Sequence, residues 1–191
     1  MPSVFGQSLY GTGGRIAGFR VRPLSAHQMM ALLEIGSPYV TDGEHAVSMG
    51  DTTTALAILC SVRRDGLAPA MRWQGSAVRR ALWRLWWLVH DHARIAGEVS
   101  AYIAASVRSP VVWRESTEGA GARTGAPWPY YLVSMVAQEM PSIPYADLWD
   151  MPITELACHK AIIGERMGDG HIAERDMQRL AELRAKKKAA A

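Results

Sequence analysis

The chain has 191 residues, 49% of them hydrophobic and 20% charged, with a formal net charge of +3. That length suits one domain in the usual range of about 100–200 residues. The composition offers ample apolar surface to bury and too little charge to hold a chain unfolded, and no apolar run approaches the ~18 residues that span a bilayer.

The N-terminal stretch has neither a basic start nor a hydrophobic secretory segment, so a cytoplasmic location and no membrane partner are expected. Its glycines, Gly6, Gly11, Gly13, Gly14 and Gly18, predict an irregular arm over residues 1–22, with a short extended piece at Phe19-Arg20-Val21. Gly11-Thr12-Gly13-Gly14-Arg15 lacks the Gly-Lys-Ser/Thr of a phosphate loop and the spacing of a dinucleotide fingerprint.

The first helix is expected to start at Ser25. Its hydroxyl can cap the opening turn while Gln28, three residues on, reaches back, and the helix should stop before Gly36-Ser37-Pro38. Met29, Met30, Leu32, Leu33 and Ile35 give it an apolar face, the two methionines read as core filler. Asp51 is read as the cap of a second helix that includes Cys60 and ends at Arg63-Arg64-Asp65-Gly66. From about Ser76 to Val107 the apolar positions Val78, Leu82, Leu85, Val89, Ala93, Ala96, Tyr102 and Ile103 predict one long central helix closed by Pro110, with Leu82, Leu85 and Val89 buried. At 1.5 Å per residue such a helix would reach about 45 Å, with Gly97 as its bend. Val111-Val112-Trp113 can pair as a short strand, and a Gly-rich loop leads to Pro127 and Pro129, which start the next helix.

Pro141 and Pro144 end that helix, and Tyr145 to Trp149 reads as a short turn. Pro152 opens a further helix that runs to Gly168-Asp169-Gly170. Trp149, Asp150 and Pro152 are read as a structural joint, with Trp149 packed and Asp150 near the N-terminus of the helix that follows, where its charge meets the dipole. The last helix, from Ile172 to about Lys187, alternates acids and bases and ends in Lys186, Lys187 and Lys188. The expected fold is therefore all-α. A single helical domain over residues 23–170 surrounds the long central helix, between the arm and a charged C-terminal helix and basic tail over 171–191.

Charge alternates along the chain: residues 1–59 carry a net −1, 60–123 a net +5 through arginine alone, 124–170 a net −4 and 171–191 a net +3. Complementary patches of this kind orient protein–protein encounters. Arg79, Arg80, Trp83, Arg84 and Trp87 form an Arg/Trp stripe beside the core-facing Leu82, Leu85, Trp86 and Val89. Three roles compete for it: packing, a protein interface, and contact with nucleic acid or a membrane surface. The protein interface is the reading that yields a function, with reversible binding as the mechanism.

No catalytic, cofactor or metal site is expected. His90 and His92 sit two apart and point about 200° from each other on a helix, and Glu155 with His159 lacks a third ligand. Cys158 and His159 are neighbours on a helix and cannot aim at one another, and no Gly-x-Ser-x-Gly elbow occurs.

The run from Pro127-Trp128-Pro129-Tyr130-Tyr131 through Trp149-Asp150-Met151-Pro152-Ile153 to Gly168, with Pro23 to Val40 and Asp51 to Leu56, resembles the tail assembly chaperones of tailed bacteriophages. The resemblance covers about half the chain and rests on helix-capping positions; the Arg/Trp stripe and the Gly-rich arm lie outside it. It implies a non-enzymatic factor that binds the helical tape-measure protein in the host cytoplasm and is displaced as tube subunits polymerise. A homo-oligomer is compatible with it. Two other classes are a structural virion subunit, such as a connector or tail-completion protein, and a nucleic-acid binder working through Arg72, Arg79, Arg80, Arg84 and Trp83.

Overall fold

Helix ends in this chain are set by local side-chain chemistry. A computed structural model describes residues 14–41, 46–61, 86, 91–113, 126–177, 179, 183 and 186. The described chain is predominantly helical, with two small antiparallel β pairings. Strand β1 (Gly14–Ile16) pairs with β2 (Phe19–Val21), Ile16 facing Phe19 across the turn. The turn residues Ala17 and Gly18 have φ of 48° and 84°, the paired positive angles of a tight hairpin whose twist matches its strands. Part of the arm expected to be irregular is thus a hairpin, with Ile16 and Val21 buried in the core.

Helix α1 (Ala26–Glu34) begins with the expected reciprocal cap: the Ser25 hydroxyl accepts from the Gln28 amide at 3.3 Å, and the Gln28 side chain accepts from the Ser25 amide at 3.0 Å. It ends at Gly36, whose φ of 62° lets the Ser37 amide return to the Leu32 carbonyl at 2.9 Å. Met29 and Leu32 are buried, as their spacing requires, whereas Ile35 is exposed. Helix α2 (Met49–Cys60) is capped by Ser48, with Asp51 as its reciprocal partner at the third helical position. The expected Asp51 cap is therefore corrected by one turn: both residues belong to one capping box, and the serine is its outer member. The helix stops at Cys60, and Arg63 to Gly66 lie outside the described residues.

The expected single helix from Ser76 to Val107 is also corrected. Trp86 is helical, but Asp91 is extended, and its carboxylate accepts from the amides of Ala93 and Arg94 to open a new helix, α3 (His92–Ser106). Ile95, Val99 and Ile103 are buried while Ala93 is exposed, so the spacing that carried the stripe through Ala93 and Ala96 does not define the buried face. Leu82, Leu85 and Val89 lie outside the described residues.

Strand β3 (Val112–Trp113) forms where expected and pairs with β4 (His171–Ile172), so Ile172, placed in the last helix from sequence, is a strand residue. Residues 173–177 turn helical immediately after it. Between these strands come α4 (Trp128–Glu139), with prolines at its start, the six-residue α5 (Tyr145–Asp150), and α6 (Ile153–Met167), closed by Gly168 at φ 82°.

One hydrophobic core joins α1, α2, α3, α4, α5 and α6 with the hairpin. Polar ties fix the order of packing. Glu98 on α3 accepts the Ala17 amide at 3.1 Å, and the Tyr102 hydroxyl donates to the Arg22 carbonyl, so α3 holds both ends of the hairpin. Burial pushes the Tyr102 phenol from 10.0 up to about 12. Both folded and unfolded states are protonated below pH 10, so this contribution is complete there and disappears as pH rises from about 10 to about 12. Stability should fall by roughly 1–3 kcal/mol across that window. Denaturant midpoints of the native chain and of Tyr102→Phe, followed between pH 8 and 12, would test this, the variant losing less.

Candidate protein-binding groove

Helices α3 and α6 meet at one end, where the buried Thr154 hydroxyl donates to the Ser106 carbonyl at 2.8 Å. Beyond that point α4 fills the floor, and a cavity of about 930 Å³ opens between the helices. Its lining on α6 runs from Ile153 to Met167. Fourteen steps along a helix are about 21 Å, so the groove follows α6 for four turns.

The walls and floor differ in side-chain size. Small residues stand along α6 at Ala157, Ala161 and Gly164 and along α3 at Ser100 and Ala104. The larger apolar groups are Met29 from α1, Leu132 and Met135 from α4, and Ile103 from α3. Met167 sits at the far end, 65% exposed. Thioether side chains in such a surface adapt to partners of different shape because they have three soft torsions and no branch.

The rim supplies aromatic and charged groups. Trp128 and Tyr131 project from the first turn of α4, 38% and 41% exposed. The Lys160 ammonium lies 5.1 Å from the centre of the Tyr131 ring, a geometry in which the ring face attracts the cation. Tyr39 closes another part of the rim. Its hydroxyl is 2.7 Å from the Thr52 hydroxyl, which is in turn 3.1 Å from His92 Nε2, and this chain of contacts anchors the rim to the starts of α2 and α3. Burial raises the Tyr39 phenol above its ordinary value, so at neutral pH the rim there is an uncharged hydroxyl.

The sequence-predicted site residues fall in two groups. Arg79, Arg80, Trp83, Arg84 and Trp87 lie outside the described residues. Trp86 beside them is half-buried, its ring 5.5 Å from that of Phe19, in keeping with an inward-facing side chain. Trp149, Asp150 and Pro152 stand at the corner between α5 and α6. Ser25 bridges Pro152 in antiparallel fashion, the Ile153 amide donates to the Leu24 carbonyl at 2.8 Å, and the Ala26 amide donates to the Met151 carbonyl at 3.3 Å. The α5–α6 corner is thereby stitched to the start of α1.

Trp149 is packed, its indole stacked on the His27 ring at 5.1 Å. Asp150 is not the cap of α6, which has Pro152 at that position and no side-chain cap. Asp150, the last residue of α5, lies two residues before Pro152 and faces His27 with Oδ1 3.3 Å from Nδ1.

Sequence reasoning missed Tyr131, Met135, Lys160 and the small residues of the walls. The available signal was the four- and three-residue spacing of Ala157, Ala161 and Gly164, which marks a helix face with room beside it but not what bounds that room.

Neither Cys60 nor Cys158 is in a disulfide, and burial pushes the Cys60 thiol upward, away from the reactive thiolate. Among the described residues no three His, Cys, Asp or Glu side chains gather to hold a metal ion, and no helix is long and apolar enough to cross a membrane. Comparison with protein-family models, curated proteins and solved structures finds no match to the chain.

Proposed function

We propose that the protein is a non-enzymatic binding factor that holds a helical segment of another protein in the groove between α3 and α6. The observation that supports this most is a groove lined by α6 over four turns, with small residues at Ala157, Ala161 and Gly164 over its middle two turns, together with methionine and leucine side chains and a rim of aromatic rings. Helix recognition in a groove uses anchors spaced at three, four and seven residues, and a channel about 21 Å long has the reach to take two or three such anchors. A small-residue wall lets a helix backbone come close, and methionine adapts to its side chains.

This reading agrees with the resemblance to tail assembly chaperones, under which the partner is the helical tape-measure protein and release accompanies tube polymerisation. A contact made of adaptable apolar groups with Lys160 at its edge suits binding that must later be undone.

Co-expression tests it. The protein should keep a tape-measure fragment soluble, and Tyr131→Ala or Met135→Asp should reduce the soluble yield several-fold. It should also be absent from purified particles. Stoichiometric presence in mature particles would assign it to the virion, and steeply salt-dependent retention on DNA would assign it to nucleic acid. Either result would overturn the proposal.

A further inference from the structure

After β4 the chain turns into a helix whose described residues are 173–177, 179, 183 and 186. Its first turn is tied to the domain. The Ala173 amide donates to the Val111 carbonyl at 2.9 Å, Glu174 is buried, and Arg175 reaches the Glu165 carboxylate on α6 at 3.1 Å, which also accepts the Ile172 amide. From Arg175 onward every described residue is exposed. Met177 and Leu183 are 60% and 54% exposed, and Leu180 stands midway between them in the sequence. Six steps along a helix cover about 9 Å of its axis and about 120° of its circumference, so the two exposed side chains bound one apolar flank. A helix of about 12–15 residues is marginal in water on its own, and a cover over that flank would hold it.

The groove matches this helix in length and in charge. Residues 173–186 reach about 20 Å as a helix, against about 21 Å for the groove. Segment 171–191 has a net charge of +3, while segment 124–170, which carries α4, α5 and α6, has a net charge of −4, so the two surfaces attract at long range. The ties to Val111 and Glu165 hold the first turn beside the end of the groove that Val112 and Met167 line. With that turn fixed, the helix carries Met177 and Leu183 into solvent and not into the groove of its own chain. Because the helix leaves from the end of the groove, two copies can exchange helices reciprocally, and such an exchange closes as a dimer instead of growing into a filament.

We propose that the C-terminal helix of a second copy of the chain covers the groove, with Met177 and Leu183 as its anchors, so that a symmetric dimer keeps the site shut until a partner helix displaces it. The inference rests on the reading of the groove as a helix-binding site.

The test follows the full chain by sedimentation equilibrium across the micromolar range and titrates it with a Leu-faced amphipathic peptide of about 14 residues. The native chain should form a concentration-dependent dimer. A chain carrying both Met177→Asp and Leu183→Asp should dimerise at least tenfold more weakly, as should Ala104→Trp, which fills the groove. Met177 and Leu183 are exposed, so melting curves of the doubly substituted chain should match those of the native one. A mixture of the two variants keeps one intact helix and one intact groove and should form a heterodimer. With no helix to cover its groove, the doubly substituted chain should bind the peptide at least threefold more tightly than the native chain. A native chain that stays monomeric, or a dimer insensitive to both variants, would overturn the proposal. A monomeric native chain that still binds the peptide less tightly than the doubly substituted one would place the helix in the groove of its own chain, which also overturns it. Equal peptide binding by the native and doubly substituted chains sinks this inference and leaves the groove reading standing, whereas no peptide binding by either removes both.

Discussion

Leu148→Ala is expected to destabilise the protein by about 2–5 kcal/mol, the range for truncating a fully buried leucine when the cavity collapses only in part. α5 has six residues, far below the ~12–15 at which a helix has even marginal stability alone, so tertiary packing holds it. Leu148 is the buried residue through which it packs, at 0% exposure, and Pro144 and Pro152 at its flanks supply no side-chain caps. Losing that anchor should also loosen the corner where residues 24–26 meet 151–153. The urea midpoint should therefore fall, and amides in the bonds from Ile153 to Leu24 and from Ala26 to Met151 should exchange faster. A shift below about 1 kcal/mol would show that α5 is not held by this residue.

Gln28→Ala should cost about 2–4 kcal/mol, because one side chain serves two helices. Its carbonyl oxygen accepts the Ser25 amide at the start of α1. Its buried amide nitrogen faces the carbonyls of Ile58, Leu59 and Ser61 at 3.1, 3.3 and 3.0 Å, at the end of α2. Alanine leaves those α2 carbonyls without their donor in a dry setting. Gln28→Glu separates the two roles, since a carboxylate still accepts at Ser25 but cannot donate to the carbonyls. Burial and the facing carbonyls would raise the folded-state pKa of this glutamate above its unfolded value. The variant should then be most stable in acid and lose stability as pH rises through the folded pKa, the reverse of a surface carboxylate. A Gln28→Glu chain as stable as the native one at neutral pH would contradict this account of α2.

Much of the helical plan is legible in the sequence because caps are local. Ser25 with Gln28, Gly36, the Pro127–Pro129 pair and Gly168 all act within one turn, and each ends or starts a helix where its chemistry predicts. The misreadings arise where a local signal is correct but its partner is distant. Ala17 takes a left-handed conformation in a hairpin tied to Glu98, eighty-one positions away. The alanines after Asp91 extend the apolar pattern and mask its capping role, yet alanine tolerates exposure and the buried face of α3 is set by Ile95, Val99 and Ile103. Asp150 stands near the start of α6, but its partner His27 is 123 positions away and was not readable from the local pattern. The groove was not legible at all, being the space left between α3 and α6 once both have packed on other elements.

Binding of a helix in that groove is measured most directly by titrating the full chain with a Leu-faced amphipathic peptide of about 14 residues in a calorimeter, a length matched to four turns of α6. The account predicts saturable one-to-one binding with a negative heat-capacity change, weakened at least tenfold by Ala104→Trp and by Tyr131→Ala, while a scrambled peptide with no apolar face does not bind. Binding of equal strength in both groove variants, or no binding by the native chain, would contradict it.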